Sequence, residues 1–181
     1  MNRFIPSFLP AAALSVVLGF GLGCGLVACG PAKTDSAVVP LEIDRSTSCE
    51  LDGMLLADYP GPKAQIHYVG QDKPSFFCDT MELFNTLLAG EQVKAVKAVY
   101  VQDMGQADWE QPSGHWIDAK TAFYVMGSKR TGSMGPTIAS FAQEADAKKF
   151  MAEHGGKVLR FADIKPDMVD LSGGALHDRG M

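Results

Sequence analysis

The chain has 181 residues, with 16 Lys and Arg against 21 Asp and Glu and a formal net charge of −5. A mildly acidic chain with no Lys/Arg cluster excludes nucleic acid as the expected partner, and excludes a membrane gripped through a basic patch. The length suits one ordinary domain, large enough to bury a core without disulfide staples.

Arg3 followed by the apolar stretch Ala11–Ala28 reads as a secretory signal peptide over residues 1–28. The stretch runs into Leu26-Val27-Ala28-Cys29, the bacterial lipobox pattern. Cys29 is then the first mature residue and carries the lipid. The expected location is a bacterial periplasm, with acyl chains holding the protein to a membrane, the outer favoured over the inner. Residues 29–38 are small and polar and form the lipidated N-terminus and a flexible tether. The domain is expected over residues 39–163, with a tail over 164–181. Its first part, residues 39–62, has no clear period and holds Cys49, Met54 and the turn Pro60-Gly61-Pro62.

Beyond that the pattern repeats. Residues 63–69 and 74–78 predict two strands around a Gly70 turn. Asp79 with Glu82 three residues on predicts a capped helix start, and the helix runs to about Ala89 with Met81, Phe84, Leu87 and Leu88 on its apolar face. Residues 93–102 are Val-rich and predict a third strand. The second pass has strands over 120–126 and 136–139, a helix capped by Ser140 with Gln143 and ending at Gly155-Gly156, and a closing strand over 157–161. The expected fold is α+β: two similar strand-strand-helix-strand units, about 63–102 and 120–161, in one compact domain. Residues 103–119 connect them.

With Cys29 lipidated and Cys24 lost with the signal, Cys49 and Cys78 remain. Two cysteines in an oxidising compartment suit a disulfide, which would make the chain a disulfide-stapled structural lipoprotein or a thiol-disulfide oxidoreductase. The absence of a Cys-x-x-Cys motif disfavours the oxidoreductase. Thiolates together with methionine sulfur suit Cu(I) instead. Cys78 stands just before a helix cap, where the dipole lowers a thiol pKa. Aligning the two helix caps puts Ala139 opposite Cys78, so the second unit lacks the sulfur. No hydrolase, zinc-protease or phosphate-loop motif occurs. His67, inside a strand, suits a hydrogen-bonded structural role, and Met81 suits the helix core.

Gly53-Met54, Pro60-Gly61-Pro62-Lys63-Ala64-Gln65, Ala98-Val99-Tyr100-Val101, Asp103-Met104-Gly105, Ala122-Phe123-Tyr124-Val125, Met134-Gly135 and Glu153-His154-Gly155-Gly156 occur in that order. From about Cys49 to Asp163 the chain resembles the nitrous oxide reductase accessory lipoprotein family (NosL). The resemblance implies a periplasmic Cu(I) chaperone, not an enzyme, that delivers copper for the copper centres of nitrous oxide reductase and docks to the membrane transporter machinery of that maturation pathway. It also implies Met54 and Met104 as thioether ligands. Asp52 stands where the family often has a cysteine. The thiolate role passes to Cys49, to Cys78 or to both, so the expected metal ligands are Cys49, Met54, Cys78 and Met104.

Overall fold

The computed structural model describes residues 38–90 and 94–171. The signal peptide, Cys29, nearly all of the tether, and residues 172–181 with His177 lie outside the described residues. Among the described residues no helix is long and apolar enough to cross a membrane.

The first unit comprises β1 (Ala64–Tyr68), β2 (Ser75–Phe77), α1 (Thr80–Leu88) and β3 (Val96–Gln102). The connector adds β4 (Trp116–Asp118), a strand the sequence reading did not expect. The second unit comprises β5 (Phe123–Met126), the short hairpin of β6 (Thr131–Gly132) and β7 (Gly135–Pro136), then β8 (Ala139–Phe141), α2 (Glu144–His154) and β9 (Lys157–Arg160). Three antiparallel sheets result among the described residues, ordered β2-β1-β3-β4, β8-β5-β9 and the two-stranded β6-β7. The repeat is visible in the register. Ala64 faces Phe77 and Val101 in the first sheet, and Phe123 faces Phe141 and Arg160 in the second.

That register corrects the alignment of the two helix caps. Phe77 corresponds to Phe141, so the residue opposite Cys78 is Ala142 rather than Ala139. The error came from placing the second cap at Ser140. Ser140 is a strand residue whose hydroxyl donates to Gln102 O at 2.6 Å, and the N-cap of α2 is Gln143 with no side-chain bond. Ser140 joins the two units instead, together with Met104 N donating to Ser140 O at 2.8 Å. In the first unit Asp79 caps as expected, accepting from Met81 N at 2.8 Å.

Alternation along β1 sends Ala64, Ile66 and Tyr68 into the core. Gln65 and His67 take the other face. Gln65 exchanges two 2.9 Å bonds with the backbone of Leu41, and its Oε1 also accepts from His67 Nε2 at 2.9 Å, so His67 has the structural role expected of it. Leu83 and Phe84 of α1 are fully buried, each worth roughly 1.5–3 kcal/mol. Phe84 meets Tyr124 edge-on at 5.1 Å and Phe161 at 5.3 Å, which ties both units into one core. Met81 packs against that core, as expected. Packing continues past residue 163: Ile164 and Val169 are buried, and Asn85 donates to Val169 O at 3.0 Å.

Candidate metal centre

The segment before β1 closes on itself. Cys49 N donates to Met54 O at 2.8 Å, Gly53 N to Cys49 O at 3.1 Å, and Met54 N to the Asp52 carboxylate at 2.9 Å. Gly53 supplies the positive φ of 76° that this turn needs. Glu50 N then donates to Phe76 O at 2.8 Å, which docks the turn on β2. Cys78 follows β2 directly. The docking therefore brings Cys49 to Cys78, although neither strand pairing nor helix spacing links them.

Glu82 completes the group. It lies in the first turn of α1, and instead of bonding back to the cap it faces the two sulfurs. Cys49 Sγ lies 3.2 Å from Glu82 Oε2, and Cys78 Sγ lies 3.3 Å from the same oxygen. The ligand atoms of Cys49, Asp52, Cys78 and Glu82 all lie within 4.8 Å of one another. Cys49, Cys78 and Glu82 are buried and Asp52 is exposed, so the cluster opens to solvent on the Asp52 side. Both cysteines are free thiols.

The electrostatics correct one expectation. The hydrogen bond from Cys78 brings the Cys49 thiol down to about 6 against the cost of its burial. Cys78 moves up, because it donates that bond and is itself desolvated. The ready thiolate is Cys49, and the helix dipole at Cys78 is outweighed. The two sulfurs titrate as a pair, with an easy first proton and a difficult second one. Burial, then the hydrogen bond with Cys49, pushes Glu82 up to about 7. Burial also pushes Asp79 up to about 7, partly offset by the bonds from Thr137 and Met81. Lys63, buried beside them, is brought down to about 8 by desolvation.

With this geometry in place, comparison with known proteins is decisive. The NosL family profile matches residues 40–169. The chain belongs to the NosL family. It is 39 % identical over 172 residues to the "Copper-binding lipoprotein NosL" of Stutzerimonas stutzeri, covering 91 % of this chain and 87 % of that one. It is 39 % identical over 137 residues to the protein of the same name from Achromobacter cycloclastes, covering 74 % and 71 %. The crystal structure of the copper chaperone NosL from Shewanella denitrificans superposes with a TM-score of 0.66 at 43 % identity, covering 69 % of this chain and 94 % of that one.

In this NosL chain the expected ligands divide. Cys49 and Cys78 come together, and Met54 packs against them with Ile43, Leu56 and Phe76. Met104 packs elsewhere, with Trp109, Phe141 and Phe150 against α2. The sequence reading missed Glu82 as a site residue by assigning it to a capping box. An acid one helical turn beyond a cysteine was the available signal. It also missed the β6–β7 hairpin, whose Ser133 sits next to the Cys78 thiol and whose Met134 is exposed.

Proposed function

We propose that this protein is a membrane-anchored periplasmic Cu(I) chaperone, that Cys49 and Cys78 hold the ion, and that it hands copper on for assembly of the copper centres of nitrous oxide reductase. The convergence of two buried thiols, with Met54 packed beside them, carries this reading. Two thiolates form a low-coordinate soft site, and a thioether beside them suits Cu(I) further. Glu82 Oε2 lies 3.2 Å from the Cys49 sulfur and 3.3 Å from the Cys78 sulfur, so it is placed to take a proton when the ion displaces one. Asp52 gives the cluster an open side. A partner's soft ligand can enter there and share the ion before either thiolate lets go, so no free ion is released.

The names of the relatives, copper-binding lipoprotein and copper chaperone, support the cargo and the anchor. The lipobox at Cys29 supports a periplasmic location. Nitrous oxide reductase and its membrane copper-transporter machinery are the partners the family name suggests.

The test is a Cu(I) titration of the reduced protein against a chromophoric competitor, followed by X-ray absorption of the loaded form. One tight site with a sulfur shell is expected, with weak Cu(II) binding. A first shell made mainly of nitrogen and oxygen would overturn the assignment.

A further inference from the structure

Behind the two thiols lies a lysine that solvent does not reach. Lys63 is 0 % exposed, and its ammonium donates to the carbonyl oxygens of Pro60 at 2.9 Å and Cys78 at 3.0 Å. Its backbone is clamped as well: Lys63 N donates to Gln102 Oε1 at 3.0 Å, and Lys63 O accepts from Gln102 N at 3.1 Å. Two neutral carbonyls do not offset the burial of a cation. The groups that do so are Asp79, Cys78, Glu82 and Cys49, whose charges all act on the ammonium. Asp79 adds to the argument. It is 1 % exposed, and its Oδ2 has no hydrogen-bond partner. A neutral donor would satisfy the two carbonyls at lower cost. A buried cation is called for only where the cluster carries standing negative charge.

That charge has a consequence for the ion that joins it. Resting on the reading of the cluster as a Cu(I) site, we propose that Lys63 determines metal specificity: its fixed positive charge behind Cys78 favours a monovalent soft ion over a divalent one. The donor atoms alone do not discriminate. Two thiolates flanked by two carboxylates also suit a tetrahedral divalent ion. The discrimination comes from charge, because a cation repels a divalent ion twice as strongly as a monovalent ion at the same place. Whatever charge Asp79 and Glu82 carry, the ammonium makes the group one unit less negative, which costs a divalent ion twice what it costs Cu(I). Lys63 bonds to the Cys78 carbonyl and not to the ion. It is a positioning and charge-setting residue, not a ligand.

The experiment measures two affinities, for Cu(I) and for Cd²⁺, on full-length reduced protein against chromophoric competitors near neutral pH. Lys63→Met keeps the volume and removes the positive charge. Asp79→Asn keeps a helix cap and removes a negative one. Lys63→Met is expected to raise the Cd²⁺-to-Cu(I) affinity ratio by at least about tenfold, and Asp79→Asn to lower it. If both affinities of Lys63→Met fall together and leave the ratio unchanged, Lys63 is only structural and the proposal is overturned. Should Lys63→Met not fold, Asp79→Asn decides alone, and an unchanged or raised ratio overturns the proposal. A wild-type protein that does not bind Cu(I) refutes the underlying site reading. A wild-type protein that binds it, with a ratio that neither variant moves, refutes only the role of Lys63.

Discussion

The two thiols do not share their protons equally. Cys49 gives up its proton first, and Cys78 is held protonated by the bond it donates and by burial. Both must act for the ion to be held between them, so Cys49→Ser and Cys78→Ser are each expected to weaken Cu(I) by at least about 1.4 kcal/mol, a tenfold loss. Met54→Leu should weaken it less. Met104→Leu should leave the affinity unchanged, because Met104 packs against α2; a loss as large as that of the serine variants would place the site elsewhere. The carboxyls make a separate prediction for the reduced, metal-free protein. Glu82 and Asp79 titrate higher in the folded chain than their ordinary values of 4.5 and 3.8. Their contribution to stability is complete below those ordinary values and is lost as pH rises through about 7. Cys49 works in the opposite sense, its contribution being lost as pH falls through about 6. From about pH 4.5 to 6 the two carboxyls, both raised to about 7, oppose only the half-buried His67, whose burial lowers its pKa and acts in the other sense. The urea midpoint should fall across that window, and Glu82→Gln should flatten the fall. A midpoint that rises there in the wild type would contradict the placement of both carboxyls.

Among the elements, the β6–β7 hairpin depends on two glycines. A Cβ on Gly132 would lie 2.0 Å from Asp79 Oδ2, and a Cβ on Gly61 would lie 2.9 Å from the Gly132 Cα. The hairpin can lie over the start of α1 only because these two residues have no side chains. Trp109 braces the same place, its indole donating to Thr131 O at 3.1 Å and its carbonyl accepting from Gly61 N at 2.8 Å. Gly132→Ala is expected to cost about 1–3 kcal/mol as an overpacked contact. Gly90→Ala, with open space around the added carbon, should change stability by less than about 0.5 kcal/mol. Thermal denaturation of the two variants reads the difference directly. Equal melting temperatures would mean that the hairpin does not rest on Asp79.

For the molecule as a whole, the anchor and the copper site are expected to be independent. Cys29→Ala should move the protein from the membrane fraction to the soluble periplasmic fraction and leave Cu(I) affinity unchanged. A lipid anchor acts by burying acyl chains in the bilayer. Cell fractionation with a copper titration on the released protein checks both halves. A variant that stays with the membrane would point to a retained signal helix.

The chain by itself determined what depends on near neighbours. Strand alternation, the Asp79 cap and the turn glycines are local, and they gave the first strand-strand-helix-strand unit with small shifts at its ends; in the second, the strand expected over 136–139 lies at Ala139–Phe141, after a hairpin that local pattern did not show. The ordered motifs carried the family, and the soft side chains carried the class of ion. The tertiary structure decided what depends on residues far apart in sequence. Ser140 looks like a helix cap until Gln102 is found beside it. Glu82 looks like a capping acid until the turn at Cys49 docks on Phe76 and brings a second sulfur to it. Met104 stands in a motif that implies a ligand, and the fold packs it with Phe141 and Phe150, apart from the two cysteines. Cys78 is expected to be the thiolate from its helix, but its interaction with Cys49 and its own burial raise it, and the same interaction lowers Cys49. Local geometry follows from short-range backbone and side-chain preferences, whereas desolvation and charge depend on which distant segments come together in the core.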